Sequence, residues 1–145
     1  MNALLAIKKI IPNADFSNIK NITAAGENDV ALVKNVLKLI DPTSAVTFTG
    51  TISAKDANDI AKVLTTGILK ATIKDGGIAA TLKALSDVKN TDIIRFKTTD
   101  KSVKASDLVD LAAKLANPSS SFDKSKIETI TGTAAETAAT GLVAG

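Results

Sequence analysis

Along the chain, short runs in which apolar and polar residues alternate give way to longer runs in which apolar residues recur every third or fourth position. Val46-Thr47-Phe48-Thr49 shows the first pattern, which puts alternate side chains on opposite faces of a strand. Val30, Val33, Leu37 and Ile40 show the second, as do Leu108, Leu111 and Leu115, and each set forms one apolar stripe on a helix. The two patterns take turns. Strands are predicted near Ile19–Thr23, Val46–Ile52, Leu69–Ile73, Ile93–Lys97 and Ile127–Thr131. Helices follow near Asp29–Ile40, Ala54–Leu64, Ile78–Leu85, Ala105–Leu115 and Ala134–Val143.

The alternation is periodic. Ile22 to Leu64 and Ala71 to Leu115 share one rhythm: a Thr/Ile pair, a polar turn, an Ala/Leu/Lys helix, a turn through Asp and Asn, and a second strand carrying a phenylalanine. Each half divides again into a strand, a turn and a helix of about 22 to 30 residues, which gives about five units over 13–145. Strands joined through helices need crossovers, so they should be parallel and the crossovers right-handed. The predicted fold class is α/β, a βα-repeat solenoid with a parallel sheet on one side and helices on the other. A compact three-layer α/β fold is the alternative; near-equal unit lengths and the lack of a Gly-rich phosphate loop favour the solenoid. Residues 1–12, with an apolar face on Asn2–Ile11, are predicted to form an N-terminal capping helix over the first unit.

Local chemistry marks the boundaries. Ser53-Ala-Lys-Asp56 and Thr133-Ala-Ala-Glu136 read as capping boxes, and Asp75 before Gly76-Gly77 reads as a third cap. Asp41-Pro42 and Asn117-Pro118 close helices. The segment 117–125, with its Pro-Ser-Ser-Ser core, is predicted to be a loop insertion. Pro118, Ser119, Ser120, Ser121 and Phe122 are thus the candidate interaction loop. The last layer has no cap comparable to the first, so either the chain is a fragment of a longer array or that layer meets a partner. Leu142 and Val143 are the candidate stacking residues there.

Composition narrows the chemistry. The apolar residues make up 45% of 145 and are nearly all Ala, Ile, Leu and Val, with four Phe and no Trp or Tyr, which suits thin regular layers. With no cysteine there are no disulfides, thiolate ligands or thiol nucleophiles, and with no histidine the commonest general base and metal ligand is missing. The net charge of +3 comes from 18 basic residues, all lysine except Arg95, spread among 15 acids. Nucleic-acid binders cluster arginines and aromatics instead, so no nucleic-acid partner is expected. No apolar stretch reaches the roughly 18 residues of a membrane span, and Met1–Pro12 does not read as a signal peptide because Lys8 and Lys9 interrupt it.

Each candidate site has a plainer reading that outweighs it. Gly76-Gly77 stands where a phosphate loop would, without GxxxxGK[ST] or GxGxxG, and reads as turn and cap. Calcium is the one cofactor the acidic turns Asp87…Asn90…Asp92 and Asp56…Asn58…Asp59 could hold, but both lack the dense oxygen spacing of known calcium loops. Asn21-Ile-Thr23 matches a glycosylation acceptor but falls in a predicted strand. Ser121-Phe-Asp-Lys124 matches SxxK without its companion motifs, and Ser86-Asp-Val-Lys89 fits no such set. No residue is assigned a catalytic, cofactor or metal role, and the chain is expected not to be an enzyme.

The stretches VTFTGTISAKDANDIAKVLTTGILKATIKDGGIAATLKAL and IETITGTAAETAATGL resemble the Thr/Ala/Ile-rich tandem repeats of very large bacterial, notably cyanobacterial, surface and secreted adhesin-like proteins. The resemblance spans about Val46 to Leu142. It implies an extracellular or cell-surface adhesive or scaffold role, through self-association or a larger protein assembly. A small virion decoration or fibre subunit built on the same module is one alternative, and a glycan- or surface-binding module is another.

Overall fold

The computed structural model describes residues 1–139. It is an α/β structure with a five-stranded, wholly parallel sheet whose strands lie side by side in sequence order, and a second sheet of two parallel strands. The main sheet contains β1 (Asn21–Ala24), β2 (Ala45–Ile52), β3 (Leu69–Ile73), β4 (Ile93–Lys97) and β6 (Ser121–Asp123); β5 (Ser102–Lys104) pairs with β7 (Thr129–Thr131). The helices are α1 (Asn2–Ile10), α2 (Val30–Leu37), α3 (Ala54–Val63), α4 (Ile78–Ala84), α5 (Ala105–Lys114) and α6 (Ala134–Ala139). Each helix packs on the one before it.

Period-two alternation appears directly in burial. Ile22, Val46, Phe48, Leu69, Ala71, Ile94 and Phe96 point into the core, while Asn21, Thr23, Lys70 and Arg95 face outward. The helix stripes complete the core: Val33, Val36, Ile60, Ile78 and Leu111 are almost wholly enclosed. Leu4, Leu5, Phe16 and Ile19 pack, partly buried, against the same cluster, which sets α1 over α2.

Side chains near the end of one unit satisfy backbone groups of the unit before. Buried Ser44 donates to the Ile19 carbonyl (2.7 Å). Buried Asp92 accepts from the Leu69 amide (2.9 Å) and the Lys89 amide (2.8 Å). Ser120 accepts from the Ile94 amide (2.9 Å) and donates to the Asp92 carbonyl (3.2 Å). Lysines cover carbonyls in the same way: Lys89 Nζ reaches the Leu64 carbonyl at the end of α3 at 2.8 Å, and Lys114 Nζ reaches the Val88 carbonyl in the turn after α4 at 3.0 Å. Strand entry is crowded at Gly67, where a Cβ would lie 2.1 Å from the Ser44 carbonyl oxygen.

Two expectations need correction. The segment 117–125 is not one exposed loop. Asn117–Ser120 forms a turn held by the Ser119 amide donating to Asn117 Oδ1 at 2.9 Å, but Ser121–Asp123 is the fifth strand of the main sheet. Three residues, Ser-Phe-Asp, are too few to show strand periodicity. What makes them a strand is Phe122 stacking on Phe96, ring centroids 5.9 Å apart. The strand expected at Ile127–Thr131 is β7, which belongs to the second sheet. The other correction is at Asp75, which does not cap α4: Asp100, from the following unit, accepts from the Ile78 amide at 2.8 Å. Ser53 and Thr133 do cap, accepting from the Asp56 amide (3.0 Å) and the Glu136 amide (3.2 Å).

On the helix layer, Lys34 of α2 spans Asp59 (2.9 Å) and Asp56 (3.3 Å) of α3, and Lys55 joins Asp59 at 2.9 Å. The hydrogen bond from Lys34, then that from Lys55, holds the Asp59 carboxyl below its ordinary 3.8. A carboxylate depressed in the folded state stabilises above its ordinary pKa, and that contribution is lost as pH falls through the depressed value. Urea titrations should therefore find Lys34→Met less stable than the parent at pH 7, with the gap closing below about pH 4.

Candidate functional site

Two features of the surface can carry function: the end of the main sheet at β6, and its outward face. At the end, Phe122 lies on the core side of β6, beside its register partner Phe96, and continues the buried face of the sheet. Between β6 and α5 is a cleft of about 270 Å³, lined by Leu108, Leu111, Ala112, Leu115, Phe122 and Lys124, with Ser120 and Ser121 at its rim. On the far side of β6 no described strand pairs with it. An apolar row and a row of backbone groups thus end together.

The candidate interaction loop is divided by this arrangement. Pro118 and Ser119 sit in the exposed turn, and Ser120 is committed to β4 through its two hydrogen bonds. Ser121 and Phe122 belong to the terminal strand. Leu142 and Val143, the candidate stacking residues, lie outside the described residues.

The outward face has its own chemistry. In the β2–β3 ladder, β2 advances from Thr47 to Thr51 while β3 advances only from Lys70 to Thr72, so β2 is bulged. The extra residues are drawn toward β1: the Gly50 amide donates to the Ala25 carbonyl (2.6 Å) and the Thr49 hydroxyl to the Ala24 carbonyl (3.3 Å). A Cβ at Gly50 would lie 2.4 Å from the Ala25 oxygen, so glycine is needed for this approach. Over β2, β3 and β4 the face forms a depression of about 220 Å³ lined by Thr47, Thr49, Lys70, Thr72 and Arg95. Composition singles out Arg95 as the only arginine, but the bulge two strands away in β2 has no sequence mark beyond Thr-Gly-Thr.

The remaining candidates have structural duties. Beside Gly76-Gly77 the Ile78 amide is taken by Asp100, and the Gly76 amide donates to the Lys97 carbonyl, so the helix start already holds a carboxylate. Asp87 is paired with Asn58 through two hydrogen bonds of 2.9 and 2.6 Å. Asp56 and Asp59 are held by lysines, and Asp92 by backbone amides. Among the described residues no three His, Cys, Asp or Glu side chains gather as metal ligands. No described helix is long and apolar enough to cross a membrane. Comparison of the chain with family models, curated proteins and solved structures found no match.

Proposed function

We propose that this chain is a non-enzymatic assembly protein, a right-handed βα solenoid that works by end-to-end contact at its β6 layer. The sequential strand order supports the solenoid reading. So does burial confined to one face of a parallel sheet, since parallel sheets otherwise are covered on both sides. The observation that carries the assembly reading is the apolar cleft at Leu108, Leu111, Leu115 and Phe122 beside the edge of β6 that no described strand pairs. A further βα unit, supplied by a second copy, would place a strand on that edge and an apolar side chain in the cleft, repeating the seam between earlier units. An adhesive or scaffold role at a cell surface follows from the resemblance to bacterial surface repeats, with a virion subunit as the alternative setting.

Light scattering over a concentration series tests this. Reversible association is expected, weakened at least about tenfold by Phe122→Asp, which puts a charge in the cleft, and unchanged by Lys62→Asp on the exposed side of α3. A monomer at every concentration would overturn it.

A further inference from the structure

We infer that the outward face of the sheet carries a binding site for an anionic saccharide, centred on Arg95 and Lys70. The site is independent of the β6 contact and lies on a different surface.

Neither the Arg95 guanidinium nor the Lys70 ammonium is hydrogen-bonded or ion-paired to any described residue. Lys97, next along the face, is matched by Asp123 at 3.9 Å, so the unpaired positive charge is concentrated at the depression. Register places Thr72 directly beside Arg95 and Thr47 directly beside Lys70, so each cation has a hydroxyl one strand away, at about 4.8 Å spacing. Unlike the Thr49 hydroxyl, those of Thr47 and Thr72 are not tied to the neighbouring backbone. Arginine's planar fork matches a carboxylate or sulfate with two parallel hydrogen bonds, and free hydroxyls can both donate to and accept from ring hydroxyls. A volume of about 220 Å³ suits one or two sugar residues.

Other anions fit less well. An extended acidic peptide gains affinity by adding to a strand edge, and this face offers side chains only. Single-stranded nucleic acid needs stacking platforms, yet Phe48, Phe96 and Phe122 all lie on the opposite, buried side of the sheet. A neutral sugar would want an aromatic platform as well, which leaves charge and hydroxyls as the means of recognition.

The test is titration of the full chain, ¹⁵N-labelled, with a heparin-derived tetrasaccharide in about 0.15 M salt, where diffuse surface attraction is screened. Saturable shifts are expected at Thr47, Lys70, Thr72 and the Arg95 side chain. Arg95→Gln should weaken binding at least about tenfold, the effect of losing a charge-assisted pair. Arg95→Lys should recover only part of it, and Lys62→Gln should leave it unchanged. Because Arg95 is exposed, a retained spectrum identifies each variant as folded. The proposal is overturned by no saturable shift at millimolar ligand, by equal losses in Arg95→Gln and Lys62→Gln, or by inorganic sulfate binding as tightly as the saccharide.

Discussion

Phe96→Ala is expected to destabilise the chain by about 3–5 kcal/mol, because it deletes a ring from the closed part of the core and removes the platform on which the terminal strand rests. Phe96 is 3% exposed, and its ring faces that of Phe122 at an interplanar angle of 15°. Phe122 is only half-buried, so Phe122→Ala should cost no more than about half as much. Urea unfolding of the three proteins measures this. If the two substitutions cost the same, Phe122 is as enclosed as Phe96 and the terminal layer is not open. In Phe96→Ala, amide exchange should also accelerate first across Ser121–Asp123, the strand whose only described pairing is to β4.

Asp92→Ala is expected to cost about 2–4 kcal/mol, although no apolar contact of any size is lost. Asp92 is wholly buried between β3 and β4, and its two oxygens separately accept the Leu69 and Lys89 amides. Lys89 Nζ lies 3.7 Å away and offsets the charge. Alanine would leave both amides buried without an acceptor, each at about 1–3 kcal/mol. Asn should restore roughly half, since its carbonyl oxygen can serve one amide while its NH₂ faces the other. The urea midpoint should fall in the order parent, Asn, Ala with an unchanged slope. A slope that drops instead would mean that the β3–β4 seam opens by itself and unfolding is no longer one step.

Asp92 also separates what could be read along the chain from what could not. Its neighbours read as a polar turn between a helix and a strand, and a polar turn is all that periodicity can report. One amide that its carboxylate serves, that of Lys89, is three positions back and local, but the other, that of Leu69, is 23 positions back, a pairing that exists only once β3 and β4 are side by side. The same holds at the start of α4. Local spacing points to Asp75 as the cap, because caps usually come from just before the helix, but parallel stacking brings Asp100 over that helix start, where its carboxylate accepts from the Ile78 amide. In the segment 117–125 the turn residues were legible and the strand was not, since Ser-Phe-Asp becomes β-structure through the Phe96 ring rather than through its own propensity.

By itself, the sequence determined the order and approximate limits of the helices and of five of the seven described strands, missing the three-residue β5 and β6, together with the parallel pairing and which side of each predicted element is apolar. These follow from side-chain period and from the length of each crossover, both of which are local properties. It also determined that histidine and cysteine chemistry is absent. The tertiary structure alone decided that β6 is the last described strand of the main sheet while β7 leaves it, that a bulge in β2 hollows the outward face, and that Arg95 and Lys70 meet there without acidic partners among the described residues. Those outcomes depend on register between strands more than 20 residues apart. Register is set by how whole layers pack, and no local stretch of the chain carries it.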